Sequence, residues 1–293
     1  MAINQVITYL TEYEDELQDR LDHPTTWKEM CAVTMTNTQV ISTQFWSSDP
    51  SLGTGAGNRD TARAGQTFST TAETLTIATN RYVNLIVDHA DLFQSPWTKG
   101  VEIFNRIGAL LNEFIETEVL VQHGQWTDFG GLSIGLGGSD ADQITVSAAN
   151  IDDIVRGVKR RIRVANGQSQ MNDRGVGFVW RAEDFEILEA FVQANGFVTA
   201  DQALKEGTVE GLHYLGVDHY WSNEHATNHL MAGVKKTQRL GILKGTFGRA
   251  HTIEFPAGDS NTFFAGTAFY SQVDLGLLHP TSQDALTYDI NVS

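Results

Sequence analysis

The chain has 293 residues, 41% of them hydrophobic, 19% charged and 10% aromatic, which allows a large buried core and excludes wholesale disorder. Its net charge is −16, so its surface repels phosphate backbones and sequence-independent nucleic-acid binding is not expected. No apolar run approaches the ~18 residues that span a bilayer. The start of the chain, with Glu12, Glu14, Asp15 and Glu16, lacks the basic and then apolar layout of a signal peptide.

Residues 1–31 read as an acidic arm, with Ile3, Val6, Ile7 and Leu10 at the spacing of a short amphipathic helix. Cys31 is the only cysteine. No intrachain disulfide forms, and synthesis in a reducing cytoplasm is expected. A strand-like stretch follows from Ala32 to Trp46. A second runs from Glu73 to His89, with Leu75, Ile77, Val83, Leu85 and Val87 at alternate positions. Between them, Ser47 to Gln66 holds Gly53, Gly55, Gly57, Gly65 and Pro50, the composition of a loop without a core of its own. The sum is a long two-stranded ribbon, which is marginal in isolation and needs another surface to lie on.

The period then changes from two to about 3.6. Ser95 is a fit N-cap and Pro96 fits the first helical position. Trp97, Val101, Phe104, Gly108, Leu111, Ile115 and Val119 form an apolar face that runs to about Gln122, with Glu102, Asn105, Asn112, Glu113 and Glu116 expected off it. A glycine-rich loop spans Gln125 to Gln143. Asn150 and Asp153 have capping-box spacing at the head of a helix whose face is Ile151, Ile154, Val155, Val158 and Ile162, closed by Asn166-Gly167. A short strand, Gly175 to Trp180, leads into a helix carrying Phe185, Leu188, Phe191 and Val192. Strands then dominate: Gly211 to Trp221, His229 to Lys235, Ala250 to Phe255, and Thr262 to Leu278. The class is α+β, without repeats or regular βαβ alternation.

Three motifs touch on chemistry. Gly131-Leu132-Ser133-Ile134-Gly135 matches the G-x-S-x-G of a nucleophile elbow, but a loop precedes it and Gly135-Leu136-Gly137-Gly138 follows. The strand-to-helix turn that exposes such a serine is missing, and a plain glycine-rich loop is expected. His213, His219, His225 and His229 cluster near Glu224, yet no third ligand is fixed by spacing; half-exposed strand and loop imidazoles are expected. Lys159, Arg160, Arg161 and Arg163 form the one basic run, expected on the solvated side of its helix near the C-terminal dipole, or facing an acidic neighbouring subunit. No catalytic, cofactor-binding or metal-binding residue is assigned.

The order of elements resembles the Hong Kong 97 fold of tailed-bacteriophage major capsid proteins and encapsulins. The resemblance rests on the return strand Thr74-Leu75-Thr76-Ile77 to Val87-Asp88-His89 and on Trp97 to Val121 with its Ile107-Gly108 and Phe114-Ile115-Glu116 pattern. It rests further on Gly177 to Phe185 and on Gly266-Thr267-Ala268 to Asp274-Leu275. It implies an N-terminal arm at 1–31, an extended loop at 32–80 and a peripheral domain with a spine helix at 81–125. A mostly axial domain would follow at 126–275, with a return to the peripheral domain at 276–293.

The implied function is self-assembly of identical subunits, as hexamers and pentamers, into an icosahedral virion shell made in the host cytoplasm. Burial of Leu75, Ile77 and Val83 between subunits would drive it. The shell would enclose double-stranded DNA without binding it specifically, with scaffolding, portal and decoration proteins as further partners and no membrane. No lysine lies between Glu29 and Thr98, so the lysine-to-asparagine cross-link of some family members is not expected. No room precedes the arm for a scaffolding segment, which implies a separate scaffolding protein or prior cleavage. The rival readings are an encapsulin-type nanocompartment shell, a soluble serine hydrolase using Ser133 with a histidine, and a phage tail component.

Overall fold

A computed structural model describes residues 25–46, 70–88, 100–195, 212–244, 251–255 and 266–293. The expected arm helix, the ribbon tip at 47–66 and the Ser95-Pro96 helix start lie outside these residues. A one-turn helix, α1 (Trp27–Met30), enters β1 (Cys31–Thr36). The ribbon is β2 (Val40–Trp46) and β3 (Thr70–Thr76), antiparallel from Val40↔Thr76 to Trp46↔Thr70. Each expected ribbon strand is in fact two strands. β1 leaves the ribbon to pair elsewhere, and so does β4 (Thr79–Asp88), which follows β3 after a short break.

The spine helix, α2, spans Gly100–Leu120 and continues as a 3-10 turn, Val121–Gln125. Short β5 (Thr127–Phe129) and a 3-10 turn over Gly131–Ile134 lead to α3 (Ile151–Val164), α4 (Gln168–Arg174), β6 (Val176–Trp180) and α5 (Ala182–Ala194). The expected capping box at α3 is not made: Asn150 Oδ1 instead accepts from the Ser147 amide at 2.9 Å. The other end matches the reading. Asn166 takes φ 59°, and the Gly167 amide returns 2.8 Å to the Ile162 carbonyl, which closes the helix. The strand expected from Gly211 to Trp221 is a hairpin, β7 (Leu212–Tyr214) and β8 (Val217–Trp221), turned by Leu215 and Gly216 at φ 54° and 69°. Then come β9 (His229–Val234), β10 (Gln238–Leu243), β11 (His251–Phe255), β12 (Gly266–Leu278) and β13 (Thr287–Asn291).

These strands form two larger sheets that do not follow chain order. In the first, the order is β1-β10-β12-β11, with β4 on the free side of the long β12; only β1 and β10 are parallel. It packs with α1 and α2 around Trp27, Ile107, Leu111, Ile115, Val119, Leu240, Ile242 and Val273. In the second, the order is β5-β13-β9-β6-β8-β7, and α3 and α5 contribute to its core with Phe129, Ile154, Val158, Phe178, Trp180 and Leu188. β10 and most of β12 lie within 126–275 yet join the first sheet. β13 lies within 276–293 yet joins the second, which the spine helix does not cover. Met30, Leu120, Trp126, Val179 and Met231 form a smaller core between these two groups.

Candidate functional site

The ribbon is pinned where it leaves the body. Leu75 and Ile77 are 3% and 8% exposed, and Leu75 fills the space above Gly241 of β10, where an added Cβ would lie 2.5 Å from the leucine Cδ2. At Gly276 of β12 a Cβ would meet the Thr76 carbonyl oxygen at 2.2 Å, so bare backbone is what lets β3 cross that strand. Polar ties reinforce the seat: Arg239 donates to Thr43 Oγ1 at 2.6 Å, and the Thr281 amide donates to Glu73 Oε1 at 2.9 Å. The burial of Leu75 and Ile77 expected between subunits therefore takes place inside one chain, because β10 and β12 already supply the apolar surface. Val83 likewise packs against the spine-helix core.

Apolar surface remains on the strands beside it. β1 and β4 border the first sheet. Met35 and Val33 are 55% and 38% exposed on β1, and Tyr82, Ile86 and Leu85 are 63%, 44% and 40% exposed on β4. Sheet borders that carry exposed apolar side chains are templates for pairing and packing with another chain.

α1 joins the body through a buried carboxylate. Glu116 of α2, expected off the apolar face, is fully buried. It accepts hydrogen bonds from the Trp27 amide at 3.0 Å, from the Thr26 hydroxyl and from Ser222. α1 covers this flank of the spine helix, so the buried arc is wider than the apolar period alone. Burial pushes the Glu116 carboxyl up to about 7; the hydrogen bonds from Thr26, Trp27 and Ser222 oppose that shift, and nearby Glu224 adds to it. Burial first, and Glu116 second, also push the Cys31 thiol up, so it stays a neutral, unreactive core group.

The G-x-S-x-G serine is structural. Its loop folds on itself, with the Gly131 amide 3.1 Å from the Asp142 carbonyl and no room for a Cβ at Gly130. Ser133 is 3% exposed and donates to Asp140 Oδ1 at 2.7 Å, so its hydroxyl faces a carboxylate and no imidazole. Burial pushes the Asp140 carboxyl up, but hydrogen bonds from Arg161 and Ser133 prevail and hold it below its ordinary value. The basic run is not simply solvated. Lys159 donates to the Leu215 carbonyl, Arg160 to the Ser133 carbonyl at 2.6 Å, and Arg161 to the Asp128 carbonyl at 3.0 Å as well as to Asp140. These long cations tie α3 to the loops at both its sides.

The four clustered histidines part company. His213 pairs with Asp218 on the exposed hairpin at 2.7 Å. His219 is fully buried, accepts from Trp180 Nε1 at 3.0 Å and is pushed down to about 3 by desolvation. Desolvation pushes His225 down to about 3 as well. His229 instead meets Asp289 and His123, residues from distant parts of the chain that spacing could not connect.

No protein-family model and no curated protein matches this chain. Solved structures do. A chain of Mycobacterium phage Che8 aligns with a TM-score of 0.65 at 15% identity, covering 98% of both chains. The capsid of an empty GTA particle gives 0.66 at 11% identity, covering 100% of this chain and 98% of that one. The capsid of cyanophage P-SCSP1u gives 0.59 at 13% identity over 98% and 93%. At such identities the fold is what is shared. This chain has the α+β fold of phage capsid subunits, the Hong Kong 97 type that the order of its elements suggested.

Proposed function

We propose that this chain is the major capsid protein of a tailed bacteriophage. Copies of it self-assemble, as hexamers and pentamers, into the icosahedral head shell that encloses double-stranded DNA. The observation that carries this reading is a capsid fold matched over nearly the whole of both chains, in a subunit whose first sheet ends in exposed apolar borders. The role is structural. Ser133 is buried against Asp140, while His213 pairs with Asp218, His219 with Trp180 and His229 with Asp289.

In this reading residues 1–31 are the arm and 32–80 the extended loop. Residues 81–125 carry the spine helix of the peripheral domain, to which β10 and β12 add strands. Most of 126–275, together with β13, makes the axial domain. DNA is enclosed without specific contact, consistent with the net charge of −16. The shell is assembled in the host cytoplasm, with scaffolding, portal and decoration proteins as further partners.

The test is size-exclusion chromatography with negative-stain microscopy of the purified full chain. Rings of five and six subunits, or closed shells, are expected, and particles from infected cells should contain DNA. A chain that stays monomeric at every concentration would overturn the assignment. Shells that hold a protein cargo and no DNA would move it to an encapsulin.

A further inference from the structure

Asp289 lies in β13, whose five positions are all buried, and its side chain is 3% exposed. A carboxylate in such a place needs strong compensation. Its Oδ2 lies 2.8 Å from His229 Nδ1 and 3.6 Å from His123 Nδ1, and its Oδ1 is buried without a hydrogen-bond partner. The two imidazoles stack at 3.7 Å between centroids, 18° from parallel, with both nitrogens turned to the one carboxylate. The second nitrogen is too far for a hydrogen bond. A proton shared between His229 and Asp289 therefore leaves one imidazole nitrogen and one carboxylate oxygen unused.

We propose that His123, His229 and Asp289 form a binding site for a borderline divalent transition-metal ion such as Zn²⁺ or Co²⁺. Two imidazole nitrogens and one carboxylate oxygen are the donor set such ions prefer, whereas Mg²⁺ and Ca²⁺ call for oxygen alone. Bonds of about 2.0–2.1 Å in a tetrahedral site place donor atoms roughly 3.3 Å apart. The two Nδ1–Oδ2 distances, 2.8 and 3.6 Å, stand on either side of that value. Each imidazole lone pair lies in its ring plane, so binding one ion requires the two rings to tilt out of their stack. Asp128, the direct neighbour of Asp289 across β5 and β13, adds negative potential that favours a cation. His123 and His229 are 30% and 26% exposed, which leaves an entry path and a place for water as the remaining ligand.

The three residues come from the 3-10 turn after the spine helix, from β9 and from β13. A bound ion would tie the end of the spine helix to the second sheet, the junction that Leu120, Trp126 and Met231 otherwise hold by apolar contact.

The test is titration of the purified, chelator-treated full chain with Co²⁺, read by its visible d–d absorption, and with Zn²⁺ by calorimetry. One equivalent per chain is expected. His123→Asn, on the partly exposed turn, and Asp289→Asn should each weaken binding by at least about tenfold, while His213→Asn on the distant hairpin leaves it unchanged. Cys31 is buried elsewhere, so no thiolate charge-transfer band should accompany the cobalt spectrum. No binding by the parent chain would overturn the proposal. So would undiminished binding in a His123→Asn chain that melts as the parent does without metal, or a thiolate band.

Discussion

The two large sheets make opposite use of their surfaces. The second is buried at its centre: α3 and α5 contribute to its core, Trp180, Phe178 and Leu188 are at most 1% exposed, and all five residues of β13 are buried. The first is covered by the spine helix, yet its border strands expose Met35, Tyr82, Leu85 and Ile86. One sheet buries its core; the other leaves apolar surface uncovered at its borders. In the proposed shell role the separation matters, because a subunit would fold before it meets its copies and would still need surface to offer afterwards.

The sharpest way to break this comparison is to remove the ribbon tip. Deleting residues 51–64 should leave a soluble, folded chain that forms no stable shells by negative-stain microscopy; normal particles would strip the ribbon of its role. Next in size is the core of the second sheet. Trp180→Ala should cost about 3–5 kcal/mol of subunit stability in denaturant unfolding, from lost burial and the cavity left behind, before any effect on assembly is read.

Glu116 tests the seam between the arm and the spine helix. Its carboxyl, ordinarily ionising near 4.5, is raised to about 7 by burial, so between those values the folded chain holds a proton that the unfolded chain has released. The stability it contributes is complete below pH 4.5 and is lost as pH rises through 7. Melting measured across this window should show a decline on the order of 2 kcal/mol for the parent, which Glu116→Gln, neutral throughout, should flatten. The smallest effect belongs to the open border. Ile86→Ser, at 44% exposure, should change subunit stability by less than about 0.5 kcal/mol and yet weaken assembly in light scattering. A large loss of subunit stability there would mean that the border is part of the subunit's own core.

Much of this architecture is legible in local pattern. The apolar period of the spine helix, the face of α3 with its Asn166-Gly167 stop, and the alternating strands of the ribbon all follow from the spacing of residues a few positions apart. β10 and β13 were not legible. Gln238-Arg239-Leu240-Gly241 places polar groups and a glycine where a strand signal needs apolar alternation, and the glycine is there because Leu75 needs its space. Thr287-Tyr288-Asp289-Ile290-Asn291 is polar at three of five positions and is still wholly buried, because His229 pairs with Asp289 and the Asp140 carbonyl accepts from Asn291.

The same distinction separates the motifs that misled from the sites that exist. Ser133 and the four close histidines caught the eye through proximity in sequence. Glu116 with Thr26, and His123 with His229 and Asp289, join residues 60 to more than 160 positions apart. By itself the sequence determined the apolar faces of α2, α3 and α5 and the class of fold, since periodic burial is a property of neighbouring residues. The sharing of strands between the two sheets, and the buried polar groups at their seams, were decided by tertiary structure alone, because the cost of burying a polar group is met only by whatever partner the fold brings to it.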